Sequence, residues 1–144
     1  MRVALVSCVK AKLSIPAPAG DLYTSQLFRA LRQYATTRAD RWFILSAEHG
    51  LLRPEEVVAP YERTLNRMSS PERLDWADRV QRQLLAILPR DTEVLILAGA
   101  RYREHIDPFL RENGFVVTAP LKGLAIGRQL QWLKRTAEGV GDAA

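Results

Sequence analysis

A chain of 144 residues, 47% apolar and 26% charged, has the size and balance of one folded domain, and this excludes a disordered chain. A single cysteine excludes an internal disulfide framework, and one thiol with two histidines argues against a structural zinc site. The formal charge of +5, carried mostly by arginine, favours a polyanionic partner: nucleic acid, or a nucleotide-like ligand.

Arg2 to Ser7 (RVALVS) is a β-rich run that meets a lysine at residue 10, too short for a signal peptide or a membrane span. It reads as a first strand, in a protein of the reducing cytoplasm with no membrane partner. A Pro/Ala/Gly-rich loop follows. Tyr23 to Ala35 then repeats apolar residues at Leu27, Ala30, Leu31 and Tyr34, the spacing of a helix. Trp42 to Ser46 (WFILS) is a second strand. A long connection around Val57 to Leu65, with Pro60-Tyr61 inside it, has the length of a binding loop.

The strongest helix opens at Ser69, where Ser69 and Glu72 have capping-box spacing and Pro71 sits in the first turn. Its stripe runs Leu74, Ala77, Val80, Leu84, Ile87, Leu88, and Pro89 stops it. Glu93 to Leu97 (EVLIL) is a third strand. A weaker helix after Gly99 is expected to break or restart at Asp107-Pro108 and to end before Gly114. Phe115 to Thr118 is a fourth strand, a glycine-punctuated loop follows, and Gly127 to Ala137 closes the chain as a helix.

Strands alternating with helices, and apolar on both faces, predict a single Rossmann-like, three-layer α/β domain over residues 1–137. Its sheet should be mainly parallel, with at least four strands. Residues 138–144 read as a flexible tail.

Such sheets bind ligands at the carboxyl ends of their strands, so the residues just past each strand are the candidates. Ser7, Cys8 and Lys10 follow the first, with Lys12 close behind and Tyr23 and Ser25 across the loop. A hydroxyl, a thiol and two ammonium groups can cradle a phosphate or lower the pKa of Cys8; a small buried cysteine with solvated lysines is the other reading. Walker-type glycines are lacking.

Ser46, Glu48, His49 and Gly50 follow the second strand, and Tyr61 lies on the long connection after them. Glu48 and His49 are the two commonest acid/base side chains, although His49 can equally serve as a helix cap. Gly99, Tyr102 and Arg103 follow the third strand. There, amides can face an anion, an aromatic ring can stack on a base and a guanidinium can fork to phosphate, unless Tyr102 belongs to the core. The G-x-G-x-x-G fingerprint is absent, so no dinucleotide cofactor is expected, and no other cofactor or metal is implied.

SCVKAKL, WFILSAEHGLLRPEE and LAGARYRE together resemble a bacterial and phage family of unknown function with SCxK, LSAxHGLL and LAGxxYR motifs. That family is distantly similar to the YaaA peroxide-stress family, whose members bind DNA. Ser7 and Lys10 match the S-P-A-K element of YaaA-like sequences. Ser46, Gly50 to Leu52 and Pro54 match a second element, and Leu97, Ala98 and Tyr102 a third. Cys8, His49 and Arg101 depart from the YaaA pattern, and this chain is much shorter.

The resemblance and the strand-end residues together point to an enzyme handling a nucleobase or nucleotide, free or within DNA or RNA, by hydrolase- or glycosylase-type chemistry. In this reading Glu48 and His49 move protons, Lys10 and Arg103 neutralise phosphate, and Tyr102 stacks on the base. A non-catalytic nucleic-acid or nucleotide-binding module of a stress or DNA-damage response is the alternative. Oligomeric state stays open.

Overall fold

Strands that are apolar on both faces must be covered on both, which forces a helix layer on each side of the sheet. The computed structural model describes residues 1–7 and 12–137. In chain order its elements are β1 (Arg2–Ser7), β2 (Ala17–Pro18), α1 (Ala19–Leu22), α2 (Gln26–Arg38), β3 (Arg41–Ser46), β4 (Gly50–Leu52) and β5 (Val57–Val58). A 3₁₀ turn at Leu65–Arg67 leads into α3 (Ser70–Ile87), β6 (Glu93–Leu97), α4 (Ala100–Glu112), β7 (Val116–Thr118) and α5 (Ile126–Ala137).

Five strands form the main sheet in the order β4-β3-β1-β6-β7. β1 is central and parallel to both neighbours, with Val6 opposite Ile44 on one side and Leu97 on the other. β7 extends the sheet in parallel, and β4 folds back antiparallel on β3. The protein is therefore a three-layer α/β fold with a mostly parallel sheet.

From β1 the chain moves outward to β3 through α2, then returns past β1 to β6 through α3. Travelling in opposite directions with one handedness places α2 and α3 on opposite faces. The two cores show this partition. Ala4, Val6 and Leu97 pack on Phe28, Leu31 and Ala35 of α2 and Leu133 of α5. Val3, Leu5 and Ile96 pack on Trp76, Val80 and Leu84 of α3 and on Ile106 and Leu110 of α4. Between β1 and β6 the connections diverge, and a crevice must open at their carboxyl ends.

The capping box of α3 is formed. Ser69 Oγ accepts from the Glu72 amide at 3.3 Å, and Glu72 Oε1 accepts from the Ser69 amide at 2.9 Å. The hydrogen bond from the Ser69 backbone, with help from its hydroxyl and from Arg63, holds the Glu72 carboxyl below its ordinary range.

Several boundaries differ from the sequence reading. α2 begins at Gln26, because the Ser25 hydroxyl accepts from the Phe28 amide and caps it; Tyr23 lies outside the helix, buried. α4 runs unbroken through Pro108. That proline is exposed while Ile106 and Leu110 on either side are fully buried, so its ring and the bond it forfeits both fall on the solvent face. β4 and the small antiparallel pair β2–β5 are segments of two or three residues, below the length at which periodicity speaks. Phe115 precedes β7. The expected tail, residues 138–144, lies outside the described residues. Within the described residues no helix is long and apolar enough to cross a membrane.

Candidate functional site

Where the carboxyl ends of β1 and β6 part lies a cavity of about 720 Å³, in the range of small-molecule sites. Leu27 and Leu31 of α2, Leu97 of β6 and Ile126 of α5 supply apolar wall; Ser7 and Gly99 come from the strand ends, and Tyr102 from the first turn of α4. Lys12, Arg63, Arg67 and Arg101 bring four cationic side chains, and among the described residues no carboxylate joins the lining.

Three helices also begin on this cavity, through Ser25 at the cap of α2, Gly99 at the cap of α4 and Ile126 at the start of α5. Their partial positive ends add to the field of the cations. Arg63 is paired with Glu72 at 3.3 Å and Arg101 with Glu104 at 3.8 Å, both in exposed pairs that water weakens.

Next to the cavity the first and second strand ends meet in a hydroxyl cluster. Ser46 Oγ donates to Tyr61 Oη at 2.8 Å, and the Tyr61 and Tyr23 hydroxyls share a hydrogen bond of 2.5 Å. The His49 amide donates to Ser46 Oγ at 3.1 Å, and its ring meets Tyr61 edge-on, centroids 5.3 Å apart. Lys12 Nζ stands 4.7 Å from the Tyr61 ring and 5.7 Å from that of Tyr23. Because Lys12 also lines the cavity, it joins the two groups.

Of the residues singled out in the sequence, Ser7, Ser25, Gly99 and Tyr102 line the cavity. Tyr23, Ser46, His49 and Tyr61 form the cluster beside it. Glu48, Gly50 and Arg103 lie elsewhere. Glu48 is exposed in the turn between β3 and β4, and Arg79 of α3 holds that turn by donating to the Glu48 and His49 carbonyls. Gly50 has a left-handed φ of 73°, and a Cβ there would lie 2.6 Å from Gln83 Oε1, which accepts from the Leu51 amide. Arg103 turns back, its Nε donating to the Ala98 carbonyl at 3.0 Å, and is not in the cavity lining. Tyr102 has one edge committed to the core, 5.5 Å from the Trp76 ring. Cys8 and Lys10 lie outside the described residues.

The sequence reading passed over Arg63, Asn66 and Arg67, although it marked the connection that leads to them as a binding loop. Lys12, which that reading placed close behind Lys10, lines the cavity. Two arginines four apart beside a 3₁₀ turn give no signal distinct from a solvated surface. Among the described residues no three His, Cys, Asp or Glu side chains gather as a metal site.

The fold and this crevice define the class: a three-layer α/β protein with a cation-lined cavity at the switch point of its sheet. The chain belongs to a family of unknown function, DUF6884, whose model matches residues 3–135. It is 33% identical over 145 residues to the uncharacterized protein YfjM of Bacillus subtilis (strain 168), a match covering 95% of each chain. It is also 32% identical over 111 residues to a UPF0246 protein of Salinispora tropica, covering 69% of this chain and 41% of that one. The second match is consistent with the distant likeness to the YaaA family.

Proposed function

We propose that this protein handles a nucleotide or nucleobase, free or within DNA or RNA, in the cavity between β1 and β6. One observation carries the reading: a cavity of about 720 Å³ with apolar walls and, among the described residues, four cationic side chains and no carboxylate in its lining. Apolar walls suit a base or sugar, and cations with helix amino termini suit phosphate. Tyr102, in the cavity lining, supplies an aromatic ring for a base. Lys12, Arg63 and Arg67 join Lys10 in the phosphate role, and Arg103, bonded to the Ala98 carbonyl, leaves it.

Acid–base chemistry at a glycosidic bond or base ring is a further step, supported by the hydroxyl chain beside the cavity. In that step Tyr61, linked to Ser46 and Tyr23, moves protons by way of the Lys12 ammonium that faces its ring and lines the cavity. His49 acts through Tyr61, and exposed Glu48 contributes only if the ligand extends out of the cavity, as a nucleic acid strand would. A non-catalytic module of a stress or DNA-damage response uses the same cavity for recognition alone.

Binding of nucleotides and of labelled single- and double-stranded DNA and RNA at two salt concentrations tests the reading. Affinity should fall steeply with salt as phosphate contacts replace counterions. Absence of binding at low salt would remove the proposal. Tyr61→Phe separates the two modes: an enzyme loses turnover by roughly 10²-fold with affinity kept, whereas a recognition module forms no product in any variant.

A further inference from the structure

Ser7 ends the central strand, and the register of Val6 with Leu97 sets it beside Ala98 and Gly99 at the end of β6. Its residue is only 7% exposed, its side chain lines the cavity, and among the described residues its hydroxyl makes no hydrogen bond. Among the described residues no fully buried side-chain polar atom lacks a partner, so this hydroxyl keeps its accessible surface, and the cavity that Ser7 lines is where a ligand or water would meet it.

Gly99, next to it, caps the 13-residue helix α4 without a side-chain cap. The Gly99 carbonyl accepts from the Tyr102 and Arg103 amides, so the amides of Ala100 and Arg101 are the helix donors left over. Nothing in the backbone demands glycine here: φ is −70°, and a Cβ would meet no atom within 4 Å. The space that a capping side chain would occupy is cavity.

We propose that Ser7 Oγ and the free amides of Ala100 and Arg101 form an anion subsite that takes a phosphoryl group of the ligand. The subsite rests on the nucleotide reading for what the rest of the ligand is, and on its own geometry for the anion. A tetrahedral phosphoryl group carries the oxygens needed to meet one hydroxyl and two amides, in the partial positive field of the α4 amino terminus. The cavity would then discriminate nucleotides from nucleosides at its buried end, while Lys12, Arg63 and Arg67 act as a screened outer field.

Two charge-neutral variants test this without altering the general attraction of a basic protein. Ser7→Ala removes the hydroxyl. Ala100→Pro removes one amide where proline is tolerated, at the first helical position after an extended residue, Gly99, with ψ 170°. Circular dichroism and melting curves confirm that each variant is folded. Titration calorimetry with pyrophosphate, adenosine monophosphate and adenosine should give binding of the first two, and each variant should weaken both by about tenfold or more.

Equal affinity for adenosine and its monophosphate, or unchanged affinity in both folded variants, would overturn the subsite while leaving a nucleobase pocket standing. Pyrophosphate binding that both variants weaken, with no gain from the nucleoside moiety, would keep the subsite and remove the nucleotide reading. No binding of any probe at low salt overturns both. If Ser7→Ala fails to fold, Ala100→Pro decides alone.

Discussion

The flank of the sheet at β3 and β4 and its centre at β1 and β6 are built from similar residues and solve opposite problems. At the flank several backbone polar groups of the turn meet protein side chains. Trp76 Nε1 donates to the Ser46 carbonyl at 2.8 Å, Gln83 accepts from the Leu51 amide, and Arg79 holds two turn carbonyls. At the centre the Ser7 hydroxyl and the first two amides of α4 belong to the cavity lining and have no protein partner among the described residues. Each region has its glycine. Gly50 is required by its backbone, whereas Gly99 is not required by backbone or by neighbours. Satisfied groups mark where the chain closes on itself, and unsatisfied ones mark where it is open to a ligand.

The largest effect should come from breaking the closed flank. Trp76 is 5% exposed, packs against Tyr102 and carries the bond to Ser46, so Trp76→Ala should cost about 3–5 kcal/mol. Chemical denaturation measures it, and a loss below about 1 kcal/mol would mean that the flank is not the closed unit described.

The same substitution at the two glycines sharpens the contrast. Gly50→Ser should destabilise by about 2–3 kcal/mol, from the left-handed backbone and the approach to Gln83. Part of that cost should vanish in a Gln83→Ala background, which a double-mutant cycle reads directly. Gly99→Ser should instead leave stability unchanged or raise it by a few tenths of a kcal/mol, since serine is a good cap. It should nevertheless weaken phosphate-bearing ligands, because its hydroxyl takes the amides they need. Destabilisation by Gly99→Ser would show that the glycine serves the fold.

The smallest effect concerns acid. Glu72 is held ionised below its usual range by Ser69, so its contribution is complete above the ordinary carboxylate pKa and fades as pH falls through the depressed value. Glu72→Gln keeps an acceptor for the Ser69 amide and should flatten the acid side of the stability curve. An unchanged curve between pH 2 and 5 would mean that the capping carboxyl has no such role.

Much of this architecture was readable in advance, and for identifiable reasons. RVALVS, WFILS and EVLIL are apolar on both faces, which only a covered parallel strand tolerates, and Ser69 with Glu72 is a local signal needing no tertiary context. Pro108 misled, because the rule against proline assumes a buried or bonded amide, and here the exposed face absorbs the loss. The cavity was half legible. Strand ends pointed to Ser7, Gly99 and Tyr102, since topology alone brings them together. Arg63 and Arg67 reach it along an irregular connection whose path depends on packing around buried Leu65 and Met68. Lys12 is placed by a bridge that pairs it with Tyr23 across the loop, a long-range contact that local sequence does not announce.

The cavity draws on Ser7, Lys12, Leu27, Asn66, Leu97 and Gln129, which come from nearly the whole length of the chain. A molecule seated there bridges segments that meet only in the native state, so the unfolded chain offers it nothing comparable. Occupancy is then recorded in the melting temperature itself: at a hundred times its Kd, such a ligand adds about 2.7 kcal/mol to folding. The protein can report its own ligand from an unlabelled compound collection, before any reaction is known.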